Sequence, residues 1–521
     1  MAPQPGRPQR KNHALLVGAG IFLTRIFGLV RQHVFSHYFG VKTDAADAFS
    51  AGFRIPNLLQ NLFGEGVLSA SFIPVYARLL AEKNDEEAGR VAGAVFALLA
   101  MTVSVIVLVG VLGAPYLIDV IEAGFHGAKR ELTIQLVRIL FAGAGLLVLS
   151  AWCLGILNSH RKFFLSYTAP VVWNVAMIAT LMAFGHRMNL SSLAVALAWG
   201  SLAGSALQFL VQLPMVLRLA RGMTIGMSAH VRDVVRNFIP VFVSRGVVQI
   251  SAYVDVWLAG FLPTGAVAGL TSAQTLYTLP VSLFGMSVSA AELPEMSSVL
   301  GDHGYLNRRL NAGLRQIAFF IVPSAMGFLV LGDVITAALF QGGLFTHTDS
   351  QYIWGILAGS AVGLLAQTLG RLYSSTYYAL RDTRTPLRFA LIRVALTTGL
   401  GYLFAIPLPK WIGIDPQWGV AGLTASAGIA GWVEFLLLRR TLNRRIGQTG
   451  LPASLVVRLW ASAAIAAAAA WATKVAIGHH DPRLSAAAIL GVYGVLYFGL
   501  TSLFGVEESR GTLRRFIPSG R

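Results

Sequence analysis

The sequence predicts an all-α, polytopic membrane protein with about fourteen transmembrane helices, and three observations predict it. Of 521 residues, 55% are hydrophobic and 12% charged, with a mean hydropathy of +0.65, whereas a soluble domain carries roughly 25% charged residues. Fourteen apolar segments are long enough to cross a bilayer, which takes about 20 residues each. The basic residues between them alternate in density, as topology demands.

The segments run roughly over 14–38, 45–78, 91–121, 132–158, 163–185, 190–217, 235–262, 266–297, 311–340, 352–379, 386–407, 417–438, 454–477 and 484–505. Several exceed the minimum, so tilt or kinks are expected. Segment 45–78 is the most polar and contains Gly and Pro. Of the 41 Lys and Arg, 25 fall in tails and loops on one side and seven (Lys42, Lys129, Arg130, Arg187, Lys410, Lys474 and Arg483) on the other. That bias puts both termini in the cytoplasm, with an even number of helices between them. The first apolar run contains Arg25, lacks a small-x-small cleavage pattern and leads into further spans, so it reads as a helix and not as a cleaved signal.

Composition also excludes function classes. The net charge of +18 and pI near 10.4 lie in short loops, with no basic module for nucleic acid. A single cysteine, Cys153, allows neither a disulfide framework nor a zinc site within the chain. No Walker or dinucleotide motif, triad or metal cluster is present in the sequence, so no cofactor is expected beyond a possible coupling cation.

An internal repeat organises the helices. Thr24-Arg25 is answered by Ser244-Arg245, Leu62-Phe63-Gly64 by Leu283-Phe284-Gly285, and Pro74 by Pro294. Helices 1–6 and 7–12 read as two six-helix lobes in a parallel pseudo-repeat, followed by two C-terminal helices. The divisions are a cytoplasmic N-tail (1–12), an N-lobe (13–222), a C-lobe (231–445), helices 13–14 (454–505) and a cytoplasmic C-tail (506–521). Parallel repeats of this kind mark transporters with substrate between the halves and alternating access by rocking.

Nine basic residues fall in or at the edges of spans, and all are arginine: Arg25, Arg31, Arg54, Arg138, Arg245, Arg315, Arg371, Arg393 and Arg458. A charge there is costly and marks function by default. Guanidinium stays charged and offers a planar fork that fits phosphate. In the second helix Asp47, Ser50, Arg54, Asn57, Asn61 and Glu65 share one face. A polar stripe cannot face lipid, so it is expected to line a wet cavity, with Gln60 beside it. Arg25 and Arg31 reach the same cavity only if helix 1 bends near Gly28 or presents a wide face, and Arg31 is otherwise an interfacial anchor. Asp255 in helix 7 either pairs with Arg393 of helix 11 or binds a cation; Glu434 is the other buried carboxylate. Glu65 and Glu292 are gate candidates. Arg371 and Arg458 read as cytoplasmic anchors.

The run Thr24-Arg25-Ile26-Phe27-Gly28-Leu29-Val30-Arg31, the Asp44 to Asp47-Ala48-Phe49 stretch and Phe53-Arg54-Ile55-Pro56-Asn57-Leu58-Leu59 resemble the start of the MurJ (MviN) family. Phe63-Gly64-Glu65-Gly66, Ser69 to Pro74, and Tyr377-Tyr378-Ala379-Leu380-Arg381-Asp382-Thr383-Arg384-Thr385-Pro386 continue the resemblance over essentially the whole chain. It implies a bacterial inner-membrane flippase for lipid II, the undecaprenyl-pyrophosphate-linked peptidoglycan precursor, and not an enzyme. It also implies membership of the multidrug/oligosaccharidyl-lipid/polysaccharide exporter superfamily, with a central cationic cavity and a lipid-tail groove at 454–505. Functional positions carry over to Arg25, Arg31, Asp47 and Arg54. The implied partners are lipid II and membrane lipids, with other cell-wall synthesis proteins possible and a monomeric state expected.

The chain departs from the family pattern in three places. Gln60 and Asn61 stand where relatives often have two basic residues. Thr275 stands near where many relatives carry a helix-8 arginine, a missing charge for which Arg245 is expected to substitute. Arg393 and Thr397 stand in helix 11, where some relatives bind sodium with Asp255-like partners, which argues against sodium coupling. The alternatives are a flippase for another polyprenyl-pyrophosphate glycan, a multidrug exporter or a membrane scaffold.

Overall fold

The computed structural model describes residues 7–63, 67–68, 71–289, 292, 296, 302–380, 382–478 and 481–509, and within these it leaves the side chains of 7–19, 21, 240–241 and 243–252 aside. Among the described residues there is no strand, only one isolated bridge between Gly342 and Phe345. Helix dominates because a backbone in hydrocarbon must satisfy its own polar groups.

By their contacts the helices fall into two compact units, Met1–Ala268 and Gly269–Arg521. The first contains α1 (Arg7–Phe39), α2 (Asp44–Phe63), α3 (Ile73–Ala81), α4 (Asp85–Leu112), α5 (Ala114–Ile121), α6 (Gly127–Ser159), α7 (Phe163–Phe184), α8 (Leu190–Leu219), α9 (Ala229–Gly260) and the first turn of α10 (Ala266–Pro280). The second holds the rest of α10, then α11 (His303–Phe340), α12 (His347–Ala379), α13 (Arg384–Ala405), a short α14 (Pro407–Trp411), α15 (Gly419–Ile446), α16 (Ala453–Ile477) and α17 (Pro482–Leu503).

Ten helical segments are long and apolar enough to cross a membrane among the described residues: α4, α6, α7, α8, α11, α12, α13 with α14, α15, α16 and α17. The other four expected spans correspond to α1, α2, α9 and α10, which are not in that set. The 20-residue α2 carries the polar stripe, and α10 has 15 residues before a π-helical turn; α1 and α9 include stretches whose side chains are left aside. That π-helical turn, Val281–Met286, contains Phe284-Gly285 of the repeat motif. Single π turns commonly accompany functional sites.

Local signals set the helix starts. Asn84 accepts from the Glu87 amide before α4, whose first turn holds Asp85, Glu86 and Glu87, acids that suit the positive end of the helix dipole. A reciprocal capping box joins Thr346 and Asp349 before α12. In the first unit α6 is the buried centre, packed by α2, α4 and α8, while α7 packs on α8 and α1. In the second unit α12 plays that part, between α11 and α15, with α13 on α15; α16 and α17 pair and lie against α11. Outward, α4 exposes Met101, Val105, Leu108 and Leu112, the apolar face a lipid-bathed helix presents.

Candidate functional site: arginines and buried carboxylates

In the first unit the polar stripe of α2 is split. Its upper part is closed: Asp47 and Ser50 are buried. Its lower part is more open, with Arg54 and Asn57 half-buried and Asn61 exposed; Gln60 beside it is half-buried. Asp47 was expected on a cavity wall. Instead its carboxylate accepts from Lys129 Nζ at 2.7 Å and from the amides of Gly265 at 2.8 Å and Ala268 at 2.9 Å. Those amides belong to the start of α10, where helix N–H groups lack intrahelical partners, so Asp47 caps a helix remote from it in sequence. Gly265 has φ +99°, a conformation that only glycine adopts without strain. Thr43 Oγ1, which accepts from the Ala46 amide at 3.2 Å, starts α2 and so places Asp47.

Arg54 sits lower on the same face. Tyr253 donates its hydroxyl to the Arg54 carbonyl at 2.7 Å. The charged groups that act on the Arg54 guanidinium are Asp255 of α9 and Glu122.

Arg31 on α1 is held by aromatic rings. Its Cζ lies 5.1 Å from the Phe53 ring centre and 5.6 Å from that of Trp173, and these two rings stack at 5.5 Å. Its Nη1 is 3.8 Å from Met177 Sδ, and its Nε has no hydrogen-bond acceptor. The rings favour the cation but leave its donors for an outside acceptor. Arg25 is exposed, next to Thr24, whose hydroxyl donates to the Tyr167 carbonyl at 2.9 Å. The Arg245 side chain and Glu65 lie outside the described residues.

The second unit treats its charges differently. Arg393 of α13 meets Glu434 of α15 at 2.9 Å. Of the three charges read from the sequence as a salt bridge or cation site, Arg393 and Glu434 come together, Glu434 lying on the helix packed against α13. Both residues line a polar cavity of about 460 Å³ together with Ser289, Gln367, Arg371 and Ser374. Arg371, read from sequence as an anchor, is thus a lining residue. Two guanidiniums against one carboxylate make this cavity attractive to an anion and unsuited to a cation. Glu292 is 2.9 Å from Arg309. Thr275 is half-buried and donates to the Thr271 carbonyl at 3.0 Å within its own helix.

A second cavity, about 450 Å³ and almost wholly apolar, runs between α10, α11 and α17, lined by residues such as Leu283, Phe284, Phe320, Phe328 and Phe498. Tyr493 and Tyr497 of α17 donate to the Pro323 and Phe319 carbonyls at 2.7 and 2.6 Å, pinning that helix to α11.

Sequence reasoning missed Lys129 and Glu122. The sequence marks Lys129 only as a loop charge. Glu122 stands just past an apolar run, and nothing in its neighbours signals that it is buried.

These features are those of a multi-pass membrane transporter: two helical units, arginines set among apolar helices, a polar cavity and an apolar groove. Its fold is shared with an inward-facing multidrug resistance MATE-family transporter of the MOP superfamily, at a TM-score of 0.66 and 18% identity over 79% of this chain and 95% of that one. It is also shared with a structure described as lipid II flippase MurJ in an inward closed conformation, at a TM-score of 0.80 and 24% identity, covering 96% of this chain and all of that one. Residues 35–482 match the family described as lipid II flippase MurJ, and the chain belongs to that family. Among its relatives are a probable lipid II flippase MurJ of Bdellovibrio bacteriovorus, 30% identical over 95% of both chains, and the lipid II flippase MurJ of Burkholderia cenocepacia, 30% identical over 83% of this chain and 84% of that one.

Proposed function

We propose that the chain moves lipid II across the bacterial inner membrane by alternating access, with both termini in the cytoplasm and no bond made or broken. The observation that carries this reading is Arg31: a guanidinium among aromatic rings whose Nε has no acceptor in the protein. A desolvated cation left so is a receptor for an anion with several acceptor oxygens, which a pyrophosphate supplies.

Arg54 and the exposed Arg25 extend the cationic path, and Asn57, Gln60 and Asn61 supply amides for the sugar-peptide head. The polar cavity offers a further contact for an anion in the second unit through Arg371, Arg393 being taken by Glu434. The apolar groove along α17 suits the isoprenoid tail, which needs only lipid-like walls. Lipid II is the partner, membrane lipids surround it, and the chain works as a monomer. Binding must be comparable in the states open to either side, or be driven apart by an ion, because a ligand held far more tightly in one state stalls the cycle.

The test is complementation of a strain depleted of its lipid II flippase, using wild type, Arg25→Ala and Arg54→Ala at matched membrane levels. Rescue by wild type and failure of both variants is the expected result. No rescue by well-inserted wild type points to another polyprenyl-pyrophosphate glycan. Rescue by both variants ends the cationic-path argument.

A further inference from the structure

Glu122 follows α5 and is 1% exposed. Its backbone is satisfied: its amide donates to the Ile118 carbonyl at 2.8 Å, and its carbonyl accepts from the Phe125 amide at 2.8 Å. Its carboxyl is not, since neither Oε1 nor Oε2 has a hydrogen-bond partner. Buried carboxylates without partners are rare because the charged form loses its hydration with nothing in return.

The surroundings make the ionised form costlier still. A methyl placed on Gly260, the last residue of α9, would lie 2.6 Å from Glu122 Oε2, so the carboxyl is pressed against that helix end. Gly124 packs as tightly, with a Cβ there falling 2.1 Å from the Gly260 carbonyl oxygen. Trp257 Nε1 donates to the Val120 carbonyl at 3.1 Å. Residues 120–124 are thus clamped on the end of α9.

The charged groups that face Glu122 come from two other elements: Asp47 and Arg54 of α2, and Lys129 of α6. Lys129 is already taken, at 2.7 Å from Asp47 and 4.0 Å from the Phe125 ring. Asp44, 3.8 Å from Lys129, lies in solvent. From α9, Asp255 acts on Arg54. With Glu122 neutral, two carboxylates, the buried Asp47 and the half-buried Asp255, stand against two cations, Lys129 and Arg54. Ionising Glu122 adds an uncompensated negative charge.

We infer that Glu122 is a proton-binding site, and that loss of its proton loosens the junction between residues 120–124 and the end of α9. Burial, reinforced by Asp47 and opposed by Arg54 and Lys129, pushes the Glu122 carboxyl up to about 8, which places the switch within the range a cell meets. With the orientation proposed above, the junction faces outward. That outward placement rests on the flippase reading; the proton site itself does not.

The experiment uses the purified full chain in lipid nanodiscs, titrated from about pH 6 to about pH 10. Infrared absorption follows the C=O stretch of protonated carboxyl groups. Wild type is expected to lose the band of one carboxyl centred near pH 8, and Glu122→Gln to lack that step. Gly260→Ala, whose methyl would lie 2.6 Å from Oε2 and so displace the carboxyl, is expected to move the step. Above the step, amide exchange of 118–126 and 256–262 should quicken in wild type beyond that of Glu122→Gln. An identical band titration in wild type and Glu122→Gln, or an unmoved step in folded Gly260→Ala, overturns the proton site. Equal exchange in the two proteins overturns the junction. All these readouts are made without substrate, so a failed complementation does not disturb them.

Discussion

Arg31 and Arg393 are both guanidiniums set in apolar helices, and their surroundings differ in kind. Arg393 is neutralised across a helix pair by Glu434 at 2.9 Å. Arg31 is held by the faces of Phe53 and Trp173, which favour the cation without occupying its donors. A carboxylate partner settles a buried cation and removes its appetite for anions. An aromatic cage also makes the cation bearable but leaves it hungry. The first arrangement is structural chemistry, and the second is that of a receptor.

Substitutions at the two positions test the contrast, and the largest effect is expected at Arg31. Arg31→Ala should abolish rescue of a flippase-depleted strain while the protein still inserts and accumulates. Arg31→Lys should rescue only in part, because an ammonium keeps the charge but not the planar stack or the fork. Full rescue by Arg31→Ala would dissolve the comparison.

The next effect is on stability. Arg393→Ala strands Glu434 and should cost about 3 kcal/mol, read as a lower thermal midpoint in detergent, whereas Arg393→Gln with Glu434→Gln should stay within about 1 kcal/mol of wild type. Equal losses in the single and double variants would mean that Arg393 acts through something other than its pair.

The smallest effect serves as a calibration outside the bilayer. Asp382, in the loop before α13, accepts from the Arg384 and Thr385 amides and the Thr385 hydroxyl, and meets Arg445 at 2.7 Å. Burial pushes its carboxyl up, but the Thr385 contacts and Arg445 outweigh burial and bring it down to about 2. A depressed carboxyl contributes stability above its unfolded pKa and loses it as pH falls through the folded one. Asp382→Asn keeps an acceptor for the amides but loses the charge that meets Arg445, and should therefore cost about 1 kcal/mol at neutral pH. The gap to wild type should close between about pH 4 and about pH 2, and a gap that persists at the acid end would contradict the assignment.

The sequence carried the helices well where apolar length alone defines them, as in α6, α12 and α17. It was less explicit where function intrudes, as in α2, whose stripe lowers its hydropathy. The stripe was legible as a face but not as two environments. Nothing in the i, i+3, i+4 spacing tells that Asp47 turns to the amides of α10 while Arg54 does not. Arg31 was legible as an intramembrane charge, but its cage was not, since Met177 is 146 positions away and Trp173 comes from the same distant helix. Pairings such as Asp47 with Lys129 or Arg393 with Glu434 are decided by which helices become neighbours, and periodicity within one helix is silent on that.

The Arg393–Glu434 pair has a consequence for how the chain is made. Synthesis delivers α13 first and α15 a full helix later. Until Glu434 emerges, α13 offers the bilayer a bare guanidinium, which costs about 2.5–3.5 kcal/mol at mid-helix on translocation scales. The arginine is therefore a reason for α13 to linger beside the insertion machinery until its partner is available, so that the two helices enter the lipid as a hairpin and not one by one.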